Sequence, residues 1–244
     1  MDEMLSGTRI TYLGHSTFRF TTAGDEQIII DPWLGDNPQT PEDQKHVEEL
    51  NTILITHGHF DHFDDAIPLA QQTGATVVAN FEISTYLMGK GIENVLPMQK
   101  GGTAQVGEIQ VTATHAIHAS SIAEEDGTIV YAGEPGGYIL EFESGFKLYH
   151  AGDTAIFSEM QLIGELYRPD LALLPIGNQV LMSPFEAAHA ARLLGVRHVV
   201  PMHYGTTPFP VPLPGTPEEF QEHLSKVAPE TVVHVMAPGD DLPS

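Results

Sequence analysis

The chain has 244 residues, of which 41% are hydrophobic, so it can build a sizeable core. No apolar run approaches 18 residues, which excludes a transmembrane helix, and the absence of cysteine excludes disulfides and thiolate metal ligands. Ten basic against 33 acidic residues give a formal net charge of −23, which repels phosphate backbones and disfavours nucleic-acid substrates.

Three further expectations concern the chain as a whole. We expect residues 1–244 to form one domain, because sandwich-type folds of this length commonly do. Met1–Met4 offer neither the basic start nor the apolar segment of a signal peptide, so we expect a cytoplasmic protein without membrane attachment. The acidic pairs are scattered along the chain, and an acidic proteome adapted to high salt would produce the same charge whatever the substrate.

In chain order, the first predicted element is a strand over residues 8–20 with an interruption at Gly14-His15-Ser16. His15 therefore lies at a break in a sheet, either as a hydrogen-bonded structural residue or as a group that reaches a functional site. A second, buried strand covers residues 27–31. Asp31 ends it before Pro32, a position more typical of a carboxylate that orients a ligand than of a ligand itself.

A loop with a short helix is predicted for residues 35–50, and a buried strand for residues 51–56. That strand leads into a segment that holds four potential metal ligands in six residues: His57, His59, Asp61 and His62. A tight loop can direct the first two at one divalent ion and the last two at a second, because imidazole and carboxylate are ligands that such ions prefer. Gly58 lets the backbone turn sharply between the pairs. The alternative is a His-rich surface loop that binds metal adventitiously.

Beyond the loop, Asp64 or Asp65 can cap a helix that runs to Gly74, and residues 75–79 return as a strand. Together with strand 51–56 this makes a βαβ unit, which places the metal ligands at the carboxyl ends of strands. Two short elements follow, a helix over residues 82–89 and a strand over residues 95–97.

A hairpin is predicted from Gly101-Gly102 through the alternating strand 109–114. It leads to His115 and His118, of which only one need be a ligand. Residues 119–137 form an insertion of mixed character, which can wall a substrate site or cover a subunit interface.

The next hairpin, residues 137–150, delivers Asp153. A carboxylate that follows a strand and Gly152 can bridge two cations, whereas the alternative is an Asx turn, which is common for Gly-Asp-Thr. The metal loop at residues 57–62 favours the bridging role.

Residues 171–201 repeat the strand–loop–helix–strand plan of residues 53–79, with a capping box at Ser183, and this predicts two similar sheets that face each other. His203 follows the last strand and completes the second metal site. The Pro-rich run 207–214, inside the loop 205–215, cannot join a sheet and is predicted to lie over the pocket, the alternative being an SH3-type ligand segment. A helix from Thr216 and an edge strand over residues 232–235 end the chain.

The spacing of His57, His59, Asp61 and His62 resembles the signature of the metallo-β-lactamase superfamily, and the similarity extends over nearly the whole chain. Five further segments resemble a less characterised branch of metal-dependent hydrolases related to an ascorbate-phosphate lactonase: Tyr12–Ser16, Ile30–Pro32, His118–Ser121, Tyr149–Thr154 and Pro201–Tyr204. The resemblance implies an α/β protein with a four-layer αββα sandwich. It assigns the third imidazole of the first site to His118, with His115 outside the ligand set, and places His15 at the rim or in the outer shell of the site.

The implied function is a dinuclear metal-dependent hydrolase that uses a metal-bridged hydroxide on an ester, lactone or phosphodiester of a small molecule. Two zinc ions, with manganese as the second candidate, would take seven ligands: His57, His59, Asp61, His62, His118, Asp153 and His203. Asp61, Asp153 and His15 are the candidate catalytic residues, and proton transfer by His15, His115 or His150 is left open. One departure from the branch is Asn178, where an acid often follows Leu-Pro-Ile-Gly. Association with further copies of the chain is left open as well.

Two alternatives belong to other functional classes. A di-iron redox protein on the same fold usually carries a carboxylate in place of the second histidine of the motif, so His59 argues against it. A non-catalytic metal scaffold is disfavoured because all seven ligand positions are filled.

Overall fold

The computed structural model of the protein describes residues 5–243. Met1–Met4, whose sequence argues against a signal peptide, and Ser244 lie outside the described residues. The first half of the chain forms β1 (Arg9–Gly14), β2 (Thr17–Thr21), β3 (Gln27–Ile30), a 3-10 turn (Glu42–Gln44), β4 (Thr52–Leu54), α1 (Phe60–Phe63), α2 (Ala66–Thr73), β5 (Thr76–Ala79), α3 (Phe81–Gly89), β6 (Val95–Pro97), β7 (Thr103–Val106) and β8 (Ile109–His115). The second half forms β9 (Ser121–Ala123), β10 (Ile129–Tyr131), β11 (Gly136–Glu141), β12 (Lys147–His150), α4 (Met160–Tyr167), β13 (Leu171–Pro175), α5 (Pro184–Leu194), β14 (His198–Met202), α6 (Pro217–Val227), β15 (Val232–Val233) and β16 (Asp241–Leu242).

Two seven-stranded sheets contain most of these strands. Their strand orders are β16-β1-β2-β3-β4-β5-β6 and β15-β14-β13-β12-β11-β8-β7, while β9 and β10 form a separate hairpin. In the first sheet β4 and β5 are parallel and are joined through α1 and α2, and in the second β13 and β14 are parallel and are joined through α5. The two predicted strand–helix–strand units are therefore confirmed.

The core has three layers of apolar side chains, because successive residues of a strand point to opposite faces. Phe18 and Phe20 of the first sheet pack against Leu140 of the second in the central layer. On the outer face of the first sheet, residues such as Ile53 pack with helices α2 and α3, and on the outer face of the second, Leu174 and its neighbours pack with α4, α5 and α6. Each such burial contributes about 1.5–3 kcal/mol. This arrangement is the predicted α/β fold with four αββα layers.

The helix ends follow the predicted capping rules with one exception. Gly74 and Gly195 end α2 and α5 in the left-handed conformation, and Ser183 forms the predicted capping box with Glu186. Asp65 stands at the N-cap of α2, but its carboxylate does not cap the helix. It accepts instead from the backbone N–H groups of residues 34 and 35, so it ties the loop after β3 to the helix.

The structure corrects the prediction in two places at one end of the first sheet. The single interrupted strand over residues 8–20 is an antiparallel hairpin, because Gly14 and His15 both have positive φ and reverse the chain. Strand β16 is absent from the prediction and pairs with β1 through Leu242 opposite Ile10. Two residues are too few to display a period of two. No helix among residues 5–243 combines the length and apolar character needed to cross a membrane.

Candidate metal centre

Four segments that follow strands of both sheets converge at one edge of the sandwich. Asp31 follows β3, the metal loop follows β4, Asp153 follows β12 and His203 follows β14. The carboxyl ends of these strands meet because β3 and β4, and likewise β12, β13 and β14, run parallel. The fold therefore brings together polar residues that are separated by up to 172 residues in sequence, the difference between positions 31 and 203.

Gly58 in the metal loop is explained by a close contact and not by a left-handed turn. Its φ is outside the positive range, whereas a Cβ added there would lie 2.7 Å from the Cβ of Ala132 and 2.9 Å from Cγ1 of Ile122. Both neighbours belong to the insertion at residues 119–137, whose hairpin packs directly against the loop. The predicted reason for this glycine is therefore wrong, and the insertion supports the metal loop from outside.

The first group of ligand atoms consists of three imidazole nitrogens. Nε2 of His57 lies 3.0 Å from Nδ1 of His59, and Nε2 of His118 lies 3.3 Å from that same atom. His57 is fully buried, whereas the other two are partly exposed. Three nitrogens at such distances can share one cation. The structure thus brings His118, and not His115, to the first two histidines of the motif.

The second group contains Asp61, His62 and His203, with His15 beside them. Oδ2 of Asp61 lies 3.3 Å from Nε2 of His203 and 3.6 Å from Nε2 of His62. These three side chains are buried, and their ligand atoms can meet on a second cation.

Asp153 lies between the two groups. Its Oδ2 is 3.1 Å from Nε2 of His203 and 3.6 Å from Nε2 of His118, while its Oδ1 is 3.4 Å from Nε2 of His62. Gly152 precedes it with φ +62°, and a Cβ there would approach Gly136 O to 2.7 Å. The carboxylate of Asp153 therefore faces imidazoles of both groups.

Asp31 orients two of the imidazoles from behind. Its Oδ2 accepts from Nδ1 of His62 at 2.8 Å and from the hydroxyl of Thr56 at 2.7 Å, and its Oδ1 accepts from Thr56 N. Because that hydroxyl donates to Asp31, it must accept from Nδ1 of His57, which lies 3.0 Å away. Both imidazoles therefore present unprotonated Nε2 lone pairs to a metal once it is bound. The orienting role predicted for Asp31 agrees with this geometry, whereas Thr56 was missed although it directly precedes the motif.

His15 contacts the second group from the protein interior. It is fully buried, so it does not lie at the rim, and its Nε2 is 2.8 Å from Oδ2 of Asp61. Its Nδ1 is 2.7 Å from the hydroxyl of Thr206, and its ring centroid is 3.7 Å from that of His203. Burial, and then the neighbouring His203, lower the pKa of His15 to about 3. The neutral ring donates through Nε2 to Asp61 and accepts at Nδ1 from Thr206. Thr206 was missed, because no motif in the sequence points to it.

The other candidate polar residues take positions outside the two groups. His115 is exposed, with Nδ1 3.2 Å from Nζ of Lys100. His150 is buried, and it donates from Nε2 to Ser16 O while its Nδ1 accepts from Gly152 N. Asn178 is exposed, and its side-chain oxygen accepts from the next backbone N–H.

The residues present fit bound cations, because several buried polar atoms of the two groups and Asp153 make no hydrogen bond within residues 5–243 and only face one another: Nε2 of His62, both ring nitrogens of His203 and Oδ1 of Asp153. A buried donor or acceptor left without a partner costs about 1–3 kcal/mol, so such atoms are rare unless something else binds them. Imidazole and carboxylate without any thiolate form a donor set suited to zinc or manganese.

The charges of the centre are strongly coupled. Burial opposes ionisation of Asp61 and Asp153, but the facing imidazoles, chiefly His62 and His203, outweigh burial and hold both carboxyl pKa values well below their usual range. In the reverse direction, burial lowers the pKa of His203, but Asp153 and Asp61 overcome it and raise the value to about 9. In the metal-free protein a proton is therefore bound to the imidazole of His203, and a metal ion must displace it in order to bind there.

A cavity of about 270 Å³ opens onto the centre. Four residues of the two groups, together with Asp153, form its floor: His59, Asp61, His118, Asp153 and His203. Its walls are Phe60, Val180, Phe209, Pro210 and Val211, so the Pro-rich run lies over the pocket as the sequence predicts. A larger cavity of about 820 Å³, between the ends of α4 and α5, contains none of these residues.

Comparison with known proteins agrees with the fold. The model of the beta-lactamase superfamily domain matches residues 26–204. The UPF0173 metal-dependent hydrolase of Rubrobacter xylanophilus is 69% identical over 244 residues, which is 100% of both chains. The structure of Igni18, a metallo hydrolase from Ignicoccus hospitalis, has a TM-score of 0.82 and 37% identity and covers 96% of this chain and 97% of its own.

The fold and the paired ligand groups define a member of the metallo-β-lactamase superfamily. Within that superfamily the chain belongs to the UPF0173 metal-dependent hydrolases. CmlA, a diiron β-hydroxylase from Streptomyces venezuelae, has a TM-score of 0.74 at 14% identity, covering 96% of this chain and 54% of CmlA. At that identity the likeness shows the fold alone.

Proposed function

We propose that this metal-dependent hydrolase binds two divalent ions and cleaves an ester, lactone or phosphodiester of a small molecule. The observation that carries the proposal is the position of Asp153, whose two oxygens face imidazoles of both ligand groups at 3.1–3.6 Å. The three imidazoles of the first group suffice for one ion. The second group, which contains a carboxylate, lies beside them and supports the binding of a second ion.

The ions would be held by the seven ligands that the sequence predicts. His57, His59 and His118 would hold the first, Asp61, His62 and His203 the second, and Asp153 would contact both. We propose zinc, with manganese as the second candidate, because five of these ligands are imidazoles. Bound there, the cations would supply an activated water and polarise the scissile bond.

The residues around the ligands hold the ligand side chains in position. Asp31 and Thr56 hold the imidazoles of His57 and His62, and His15 with Thr206 holds the carboxylate of Asp61. A small molecule is the proposed substrate, since the cavity measures about 270 Å³ and the net charge of −23 disfavours nucleic acid.

The test is elemental analysis of protein purified without added metal, followed by turnover with a panel of esters, lactones and phosphodiesters. We expect about two zinc or manganese ions per chain and hydrolysis that a chelator abolishes and the same metal restores. A stoichiometry of one at saturating metal would refute the dinuclear centre. Iron with a characteristic absorption band would favour the di-iron redox alternative, and full metal loading without turnover of any member would favour a binding scaffold.

A further inference from the structure

Among the residues that the structure describes, no charged side chain forms part of the walls of the cavity above the metal centre. Phe60, Val180, Phe209, Pro210 and Val211 form these walls, and all five are apolar. Within the described part of the chain, the polar side chains that line the cavity are those of the ligand residues on its floor. A substrate whose reacting bond lies at the floor must therefore place the rest of the molecule against apolar surface.

The walls rest on a packed aromatic cluster. The rings of Phe60 and Phe209 are stacked with centroids 5.8 Å apart, and Trp33 meets them edge-on at 5.6 and 6.2 Å. Trp33 is only 3% exposed, so it supports the walls from behind. Phe209 also packs on the rings of His15 and His203, which ties the Pro-rich loop to the metal centre. Such aromatic packing makes the apolar walls a built feature of the site.

All ten lysine and arginine residues lie within the described range 5–243, and none of their side chains lines this cavity. Sites that hold a phosphate or carboxylate tail commonly use such side chains, often in bidentate geometry. An anionic tail would here be removed from water without a partner, which costs several kcal/mol. The net charge of −23 adds a long-range repulsion of anions.

We propose that the substrate is an uncharged ester or lactone whose non-reacting part is a compact apolar group, and that Phe60, Val180, Phe209 and Val211 select it. The inference rests on the proposed hydrolase function and narrows it, because it excludes nucleotides and phosphorylated sugars. The cavity of about 270 Å³ lies just below the range of roughly 300–1,000 Å³ typical of drug-sized ligands, so the apolar group is small.

The first test compares two esters on the metal-loaded protein that differ only at the tail: 4-nitrophenyl pentanoate and 4-nitrophenyl 4-sulfobutanoate. We expect kcat/KM to be at least about tenfold higher for the neutral ester, since an unpaired buried charge costs more than the 1.4 kcal/mol that corresponds to tenfold. Equal or greater kcat/KM for the sulfonate would overturn the proposal.

A variant locates the selectivity in the wall. Val180 is 39% exposed, and Val180→Arg adds a cation at the cavity. We expect it to raise the sulfonate-to-neutral ratio of kcat/KM by about tenfold at unchanged metal content. Val232→Arg is the matched control, because Val232 is 49% exposed and pairs with His198, at the other end of β14 from His203. Equal ratios in the two variants would show that total charge, and not the wall, sets the preference.

Binding of unreactive analogues separates this inference from the proposed function. Trp33 is the single tryptophan of the chain and packs against Phe60 and Phe209, so its fluorescence reports on occupation of the cavity. We expect N-methylpentanamide to change that fluorescence at a concentration at least about tenfold lower than its 4-sulfobutanamide counterpart. Selective binding without turnover of any ester refutes the hydrolase and leaves the pocket assignment standing. Absence of binding, or absence of selectivity, overturns the pocket assignment.

Discussion

Nε2 of His15 donates a hydrogen bond to Oδ2 of Asp61 over 2.8 Å, and both side chains are buried. The hydroxyl of Thr206 holds the other ring nitrogen at 2.7 Å, so the imidazole connects the loop after β14 to the metal loop. A carboxylate held in this way keeps its position without a metal. The position of His15 therefore explains how a residue outside the metal loop controls the geometry of the second ligand group.

His15→Gln tests this positioning role. The amide cannot reproduce both ring contacts, so we expect the affinity for the second ion to fall about 10–100-fold, as is typical when a residue that orients a ligand is lost. Competition with a chelator measures the loss, and the affinity for the first ion serves as an internal reference. His115→Gln, at an exposed position, is the matched control and should leave both affinities unchanged. Equal affinities in His15→Gln and the native protein would contradict the role.

Asp61→Ala should remove the second ion preferentially. The Asp61 carboxylate faces His62 and His203, whereas the first group is made of three imidazoles. Elemental analysis should find about one ion per chain where the native protein holds about two. Asp64→Ala replaces an exposed acid three residues further along and should retain both ions. If Asp61→Ala loses both ions, or neither, the ligands have been assigned to the wrong sites.

Asp153→Asn should reduce kcat by about a hundredfold or more while the fold survives. The substitution keeps the size of the side chain but removes the negative charge that faces both groups, and losing such charge stabilisation is costly. His115→Asn, outside both groups, should cost much less. Steady-state kinetics with metal content measured in each variant makes the comparison. Comparable losses at the two positions would show that the wrong residues were placed around the ions.

Metal binding should release protons in a pH-dependent way. Burial lowers the pKa of His203, but Asp153 and Asp61 raise it to about 9, and the same carboxylates raise the pKa of His62. The imidazole of His203 thus carries a second proton at pH 7 in the metal-free protein and must lose it to become a ligand, so the affinity for metal should increase with pH up to about 9. Calorimetric titration in buffers of different ionisation enthalpy should show proton release on metal binding at pH 7 and less release at pH 10. Binding at pH 7 with no proton release would falsify this charge assignment.

Gly58→Ala should destabilise the protein through the insertion hairpin. The added Cβ would lie within 3.0 Å of Ala132 and Ile122, so the hairpin or the metal loop must shift, and overpacking of this kind costs about 1–3 kcal/mol of unfolding free energy. Gly89→Ala is the control, because nothing lies within 4 Å of its added Cβ and its φ is not positive. That substitution, at the end of α3, should be neutral or stabilising by up to about 1 kcal/mol. Denaturant unfolding measures both, and equal midpoints would contradict the close packing.

Much of the fold could be predicted because its elements are local patterns. The apolar runs before the metal loop and before Pro175, the left-handed glycines after two helices, and the capping box at Ser183 each lie within a few residues. The two βαβ units follow from them, since parallel strands need such a crossover. Strand β16 could not be predicted, because two residues are too few to display a period of two. The turn at His15 could not be predicted either, because the histidine residue type does not indicate a positive φ.

The sequence by itself determined the ligand chemistry of this protein. Three histidines and an aspartate within six residues specify a divalent metal loop wherever the strand before it ends, because ligand type and spacing are properties of the local chain. Only the tertiary structure decided which distant residues complete the ligand set of the metal loop and orient its side chains. The contact between His15 and Asp61 spans 46 residues and that between His15 and Thr206 spans 191. The aromatic cluster beneath the cavity walls likewise joins Trp33, Phe60 and Phe209. Such contacts exist because two separate sheets pack face to face, and no pattern within one segment records how the other sheet will meet it.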